Sequence, residues 1–128
     1  MKLTQRQAYK LAYARARKRA KANRRKWLQA LRSGKYKQAR DTLARDDNGT
    51  ACAPEDGTSF CCLGVAALVC GFSDRGQPGS QLLQRSCAVL GLTTGDALRL
   101  AERNDDKRQR FKTIADAIEK LPLDIYQL

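Results

Sequence analysis

Apolar positions along the chain recur mostly at helical spacing. Between residues 4 and 34, Tyr9, Tyr13, Ala16, Ala20, Trp27 and Leu31 fall on one face at a period of 3.6, with Asn23 interrupting it. The run has no proline and no glycine before Gly34, and it is filled with Ala, Lys, Arg, Gln and Leu, all strong helix formers. Thr4 and Gln7 have the spacing of a capping box, and Gly34 offers a residue free to take positive φ beyond the last turn. One long helix is predicted. Trp27, Leu28 and Leu31 are expected to dock it on the rest of the protein, whereas Ala16 and Ala20 offer little area to hold its middle. Like charges one turn apart, such as Arg15 with Arg19, predict a loosely held outer half, roughly residues 1–20, steadied by an anion.

Beyond Gly34 the pattern changes. Asn48-Gly49 is a hairpin signal, with arms expected near residues 42–46 and 58–61, and Pro54 and Gly57 are breakers. A second helix is expected over "FCCLGVAALVCG", residues 60–71, with Ser59 as N-cap and Gly71 at its end. "DRGQPGS" (74–80) reads as a loop, and "QLLQRSCAVLGL" as a third helix ended by Gly91. "TTGDALRLAERND" makes a fourth, starting near Thr94 or Asp96. In the last stretch Phe111, Ile114, Ala115, Ile118 and Leu121 form an amphipathic stripe stopped by Pro122. No internal repeat is evident. The predicted fold is mainly α: a small single domain of four to five short helices and a short β-hairpin, preceded by a long basic N-terminal helix.

Charge sharpens this division. The net charge is +12, yet residues 1–40 hold fifteen Lys or Arg and no Asp or Glu, while residues 41–128 hold ten basic and thirteen acidic residues. A basic helical extension over 1–26 and a compact domain over 27–128 are therefore expected. Such asymmetry points to a polyanionic partner for one end of the molecule, most often nucleic acid. The competing reading is a solvated, solubilising arm. The cations proposed to bind are Arg15, Arg17, Lys18, Arg19, Lys21, Arg24, Arg25 and Lys26, within a basic region spanning 6–40. No apolar run approaches the ~20 residues of a membrane span. The N-terminus lacks the charged-then-apolar order of a secretory signal. A cytoplasmic location, with no membrane partner, is the expectation.

The five cysteines, Cys52, Cys61, Cys62, Cys70 and Cys87, occur in a chain without histidine. A structural zinc site wants four Cys or His ligands, generally paired as C-x₂₋₄-C, and that spacing is missing. A cysteine hydrolase needs a neighbouring base, normally histidine. Reduced thiols are expected in the cytoplasm, so a disulfide framework is disfavoured. Packing remains: cysteine behaves as a small hydrophobe, and Cys62, Val65, Ala66 and Val69 share one helix face beside Gly64. No catalytic residue, metal or cofactor is expected.

One string also carries a resemblance. Trp27-Leu28-x-Ala30-Leu31-Arg32-Ser33-Gly34-Lys35-Tyr36-x-Gln38, then Leu43, Phe60-Cys61-Cys62-Leu63-Gly64-Val65, Glu102-Arg103-Asn104-Asp105 and Phe111-x-x-Ile114-Ala115-x-x-Ile118 resemble a family of small proteins encoded by tailed phages and prophages. The resemblance spans roughly residues 27–120 and implies no catalytic residue. It does imply an accessory role, including anti-CRISPR-like inhibition of a host defence system. Residues 1–26 depart from the family pattern. Within them, "RARKRAKANRRKW" is similar to the arginine-rich helices by which lambdoid phage antitermination proteins grip an RNA hairpin. Trp27 there reads either as a stacking platform or as a core anchor.

Three classes of function follow. The first is a non-catalytic phage inhibitor of a host antiviral defence protein or its nucleic-acid complex, acting in the host cytoplasm. The second is sequence-independent binding of DNA or RNA through the basic helix. The third, an enzyme, has the least support, because histidine, metal spacing and a Gly-rich phosphate loop are all missing from the sequence. Oligomeric state is not readable.

Overall fold

The computed structural model describes residues 2–72 and 79–125, with 79–83 described by backbone alone. The fold is mainly α. Helix α1 runs from Gln5 to Arg32 and is followed by a small sheet whose strands are β1 (Lys37–Gln38), β2 (Ala44–Arg45) and β3 (Ser59–Phe60). Four shorter helices complete the chain: α2 (Cys62–Cys70), α3 (Gly79–Leu90), α4 (Thr94–Asp105) and α5 (Phe111–Glu119).

The expected capping box closes the start of α1: Thr4 Oγ1 accepts from the Gln7 backbone N–H, and Gln7 Oε1 accepts from the Thr4 N–H. At the other end Ser33 is the C-cap and its hydroxyl donates to the Ala30 carbonyl. The helix is continuous, with no break at residue 26 or 27. Its first buried side chain is Ala20, followed by Arg24, Trp27, Ala30 and Leu31. Ala20, small as its area is, is packed out of solvent. It lies against Gly91, whose positive φ of 64° turns the chain tightly enough for the Ala20 methyl to approach its backbone.

The expected hairpin is present, with one strand more. β2 and β3 pair antiparallel, Ala44 opposite Phe60 and Arg45 opposite Ser59. Asp46 Oδ1 holds the Asn48-Gly49 turn by accepting from the Asn48 and Thr50 N–H groups. β1 then adds to the other edge of β3 in parallel, Lys37 opposite Ser59. Because Ser59 and Phe60 belong to the sheet, Ser59 cannot cap α2. Cys61 does so instead, its thiol Sγ accepting from the Gly64 N–H at 3.3 Å. The loop expected over 74–80 lies mostly outside the described residues, apart from Gly79 and Ser80, which open α3.

α2 is the buried centre. Every residue from Cys62 to Ala67 is buried, including Val65 and Ala66. Trp27 of α1, Leu90 and Leu92, Leu100 of α4, and Ile114 and Ile118 of α5 complete a single core. Trp27 is fully buried, and its indole N–H donates to the Cys62 carbonyl at 2.8 Å. Of its two sequence readings, the core anchor is the one the fold supports.

Gly64 lets the β1–β2 loop sit directly on α2. A β-carbon at that position would collide with the Leu43 carbonyl oxygen, which also accepts from the Cys61 N–H. Gly64→Ala is expected to destabilise the protein by ~1–3 kcal/mol or more through overpacking against backbone. A chemical denaturation curve in which the variant matches the parent would refute this account.

Candidate nucleic-acid interface

The eight cations read from the sequence do not share one fate. Arg15, Arg17, Lys18, Arg19, Lys21, Arg25 and Lys26 are exposed, and none has an ion-pair partner among the described residues. Arg24 is different. It is 8 % exposed, and its guanidinium donates to four backbone carbonyls: Nε to Leu90 (2.7 Å), Nη1 to Leu121 (2.6 Å), and Nη2 to Gly91 (2.7 Å) and Pro122 (2.9 Å). Burial lowers its pKa from the ordinary value, and the charge of Asp96 raises it. Arginine stays protonated under either influence. Its donors are consumed inside the protein, so it is not available to a phosphate.

The physical reason is helix-end chemistry. The last carbonyls of a helix have no intrahelical donor and carry the negative end of the macrodipole, so a cation placed there is stabilising. Asn23 contributes to the same task, donating from Nδ2 to the Val89 carbonyl at 3.1 Å. The interruption of the apolar stripe at Asn23 is thus a cap for α3 supplied by another helix. A sequence signal for Arg24 existed: Ala20, Arg24, Trp27 and Leu31 lie at spacings of four, three and four, the rhythm of a core face.

The seven remaining cations divide between two flanks of α1. Lys21 and Arg25 line an open groove of ≈ 600 Å³ toward α5, together with Leu28, Gln29, Arg32 and Glu119. Arg17 and Lys18, one turn before Lys21, continue that row. On the other flank Arg19 borders a smaller cavity of ≈ 270 Å³ with Ala16, Asn23, Ala88 and Val89 of α1 and α3. Arg15 precedes Arg19 by one turn, and Lys26 follows it by two; burial pushes the Cys70 thiol up to about 11, and the nearby Lys26 charge opposes that rise. Arg32 ends the free positive charge. It is held by Asp116 at 2.8 Å and Glu119 at 3.0 Å, which raise its pKa.

Of the five thiols, Cys70 adjoins this surface at Lys26. Cys62 donates to the Leu100 carbonyl at 3.7 Å and Cys70 to the Asn23 carbonyl at 3.5 Å. All five are free. Burial pushes Cys61 up to about 11, against hydrogen bonds from the Gly64 and Leu63 backbone, and pushes Cys62 well above its ordinary value. A helix N-terminus alone would favour the thiolate; here desolvation dominates. Among the described residues no group of three or more Cys, Asp or Glu side chains is placed to hold a metal ion. No helix among them is long and apolar enough to cross a membrane.

Residues that carry the phage resemblance have packing roles in this fold. The Gln38 amide donates to Asn104 Oδ1 and the Gln109 carbonyl, and Asn104 donates to the Ala39 carbonyl and to Asp105 Oδ1. Tyr36 meets Phe60 edge-on, with ring centroids 5.9 Å apart. Comparison of the chain with protein-family models, curated proteins and solved structures yields no match in any of the three.

Two outcomes test these assignments. Arg24→Ala removes the donor from buried carbonyls, each costing ~1–3 kcal/mol when left unpaired. Because water reaches some of them, a total on the order of 3 kcal/mol is expected by denaturant titration. Arg25→Ala, one residue on and exposed, should stay within about 0.5 kcal/mol of the parent. Equal effects from the two would sink the distinction. For the thiols, Cys61 has its ordinary pKa of 9.0 in the unfolded chain and about 11 when folded. Its contribution to stability is therefore complete below pH 9 and lost as pH rises toward 11. The fall in denaturation midpoint across that window should be smaller in Cys61→Ala than in the parent.

Proposed function

We propose that this protein binds nucleic acid without sequence selectivity, through the exposed cations of α1. The observation that carries the reading is the set of seven Lys and Arg side chains exposed on one preformed helix with no ion-pair partner among the described residues. A solvated arm needs neither order nor anchoring, whereas this helix is fixed to the domain from Ala20 onward by Arg24 and Trp27. Polyanion affinity from such a surface comes mainly from counterion release. Selectivity would need bidentate donors held rigidly against base edges, and the exposed side chains here are long, flexible and cationic. The anti-defence role implied by the phage resemblance would use this same face against the phosphate-lined channel of a nucleoprotein complex.

The test is fluorescence anisotropy at several salt concentrations. With four to six phosphates contacted at once, the log-log salt slope on duplex should be about −4 to −5, at ~0.9 per contact. Arg15→Glu, Lys18→Glu and Arg25→Glu should each weaken binding and make the slope shallower by about one. Binding that neither responds to salt nor to these reversals would overturn the proposal. Capture of partners from a bacterial lysate, with and without nuclease, separates the two settings. A protein partner that survives nuclease selects the inhibitor; loss of all partners selects plain nucleic-acid binding.

A further inference from the structure

The apolar stripe of α1 does not stop where the domain stops. Ala20 is the first side chain it buries, but the same face continues toward the N-terminus through Ala16, Tyr13, Ala12 and Tyr9. Neither ring is buried: Tyr9 is 39 % exposed and Tyr13 41 %. Neither ring nor hydroxyl has a partner among the described residues. Four of the six exposed large hydrophobic side chains described in this protein lie between residues 3 and 13. A helix meant only to present charge to solvent or to a duplex has no use for such rings.

At 3.6 residues per turn, cations edge this strip on both sides. Arg6, Lys10 and Arg17 run along one border, Arg15 and Arg19 along the other. All five are exposed, and there is no carboxylate within the first forty residues to compete for them. Tyr9 and Tyr13 are four residues apart, about 6 Å along the helix axis. A nucleic-acid strand repeats at about 3.4 Å per nucleotide, so the gap is close to two stacking layers and admits one base between the rings. Aromatic rings that stack bases within a cationic track are the recurring solution for gripping unpaired strands, because every base has a π-face. A duplex offers phosphates and groove edges but keeps its base faces stacked inside.

Building on the nucleic-acid reading above, we infer that the ligand is single-stranded nucleic acid, with unpaired bases stacked on Tyr9 and Tyr13 and their phosphates on the flanking cations. The strip is a binding subsite rather than an unfilled piece of core.

The experiment compares an oligo-dT strand and a duplex of equal length, titrated against the full chain by anisotropy at one salt concentration. The Tyr9→Ala/Tyr13→Ala variant should lose roughly tenfold or more in affinity for oligo-dT. It should bind duplex as the parent does, and Tyr9→Phe/Tyr13→Phe should retain the oligo-dT affinity. Both variants should melt with the parent, since neither ring belongs to the buried core; circular dichroism checks this. Unchanged oligo-dT affinity in the alanine variant overturns the inference and leaves the strip to a protein partner. Equal loss on both probes overturns it too, because only general helix integrity would then be at stake. If duplex binds the parent chain in either case, the nucleic-acid reading survives. If neither probe binds, that reading falls and this inference falls with it.

Discussion

The position of α1 depends on one buried cation. Placing a guanidinium inside a protein is costly unless its donors find acceptors, and Arg24 finds four carbonyls from two separate segments. Leu90 and Gly91 close α3; Leu121 and Pro122 follow α5. Arg24 thus ties the ends of two helices to the side of a third. Once it is seated, the register of α1 is fixed. Asn23 faces Val89, Trp27 reaches the first turn of α2, and Arg32 meets the two carboxylates of α5. An apolar residue at position 24 could fill the space but would take that donor from the Leu90, Leu121 and Pro122 carbonyls, while Gly91 would keep the Asp124 backbone N–H.

The second constraint is the approach of the β1–β2 loop to α2. Gly64 removes the side chain that would hold Leu43 away, and the Leu43 carbonyl then accepts from Cys61. Cys61 caps the helix while Cys62 fills the core beneath Leu100. A serine could make either hydrogen bond, but at Cys62 its hydroxyl would be fully buried, where a sulfhydryl tolerates an apolar site better. The Cys-Cys-Leu-Gly run is therefore explained by packing and capping, with no chemistry required of it. The polar cluster of Gln38, Asn104 and Asp105 plays a similar part where β1 meets α4. Asp105 accepts from the backbone N–H of Asp41, a non-glycine residue at φ 65° that benefits from such support.

These devices differ in how visible they are from the chain alone. Helices were legible because their apolar period, caps and stops agree: Thr4 with Gln7, the stripe from Phe111 to Ile118, the glycine after α2. The antiparallel pair was legible from Asn48-Gly49. β1 was not, because two residues carry no periodicity and its parallel pairing with β3 is a tertiary event. The N-cap of α2 was misplaced for the same reason, since only the sheet shows that Ser59 is already engaged. Of the candidate interface, the seven exposed cations were readable from composition. Arg24 was hidden among them, because composition does not distinguish which member of a basic run turns inward. The core rhythm through Ala20, Trp27 and Leu31 was that sign, and the density of charge around it masked it. The exposure of Tyr9 and Tyr13 was likewise beyond reach, since whether a stripe is covered depends on where the other helices end.

The anchoring at Arg24 also bears on how the outer half of α1 can work. Its cations repel one another by a few tenths of a kcal/mol per pair, and it has no acidic residue in its first turn to favour its positive end. An isolated helix of this composition starts from a costly nucleus. Here the nucleus is supplied: residues 20–32 are held by the core, and each residue toward the N-terminus adds to a helix already formed. The capping box at Thr4 satisfies donors at the far end. A partner then meets a surface whose ordering has largely been met by folding, and less of its binding energy is spent on arranging the cations. The same burial that withdraws Arg24 from the interface is what keeps its seven neighbours in place.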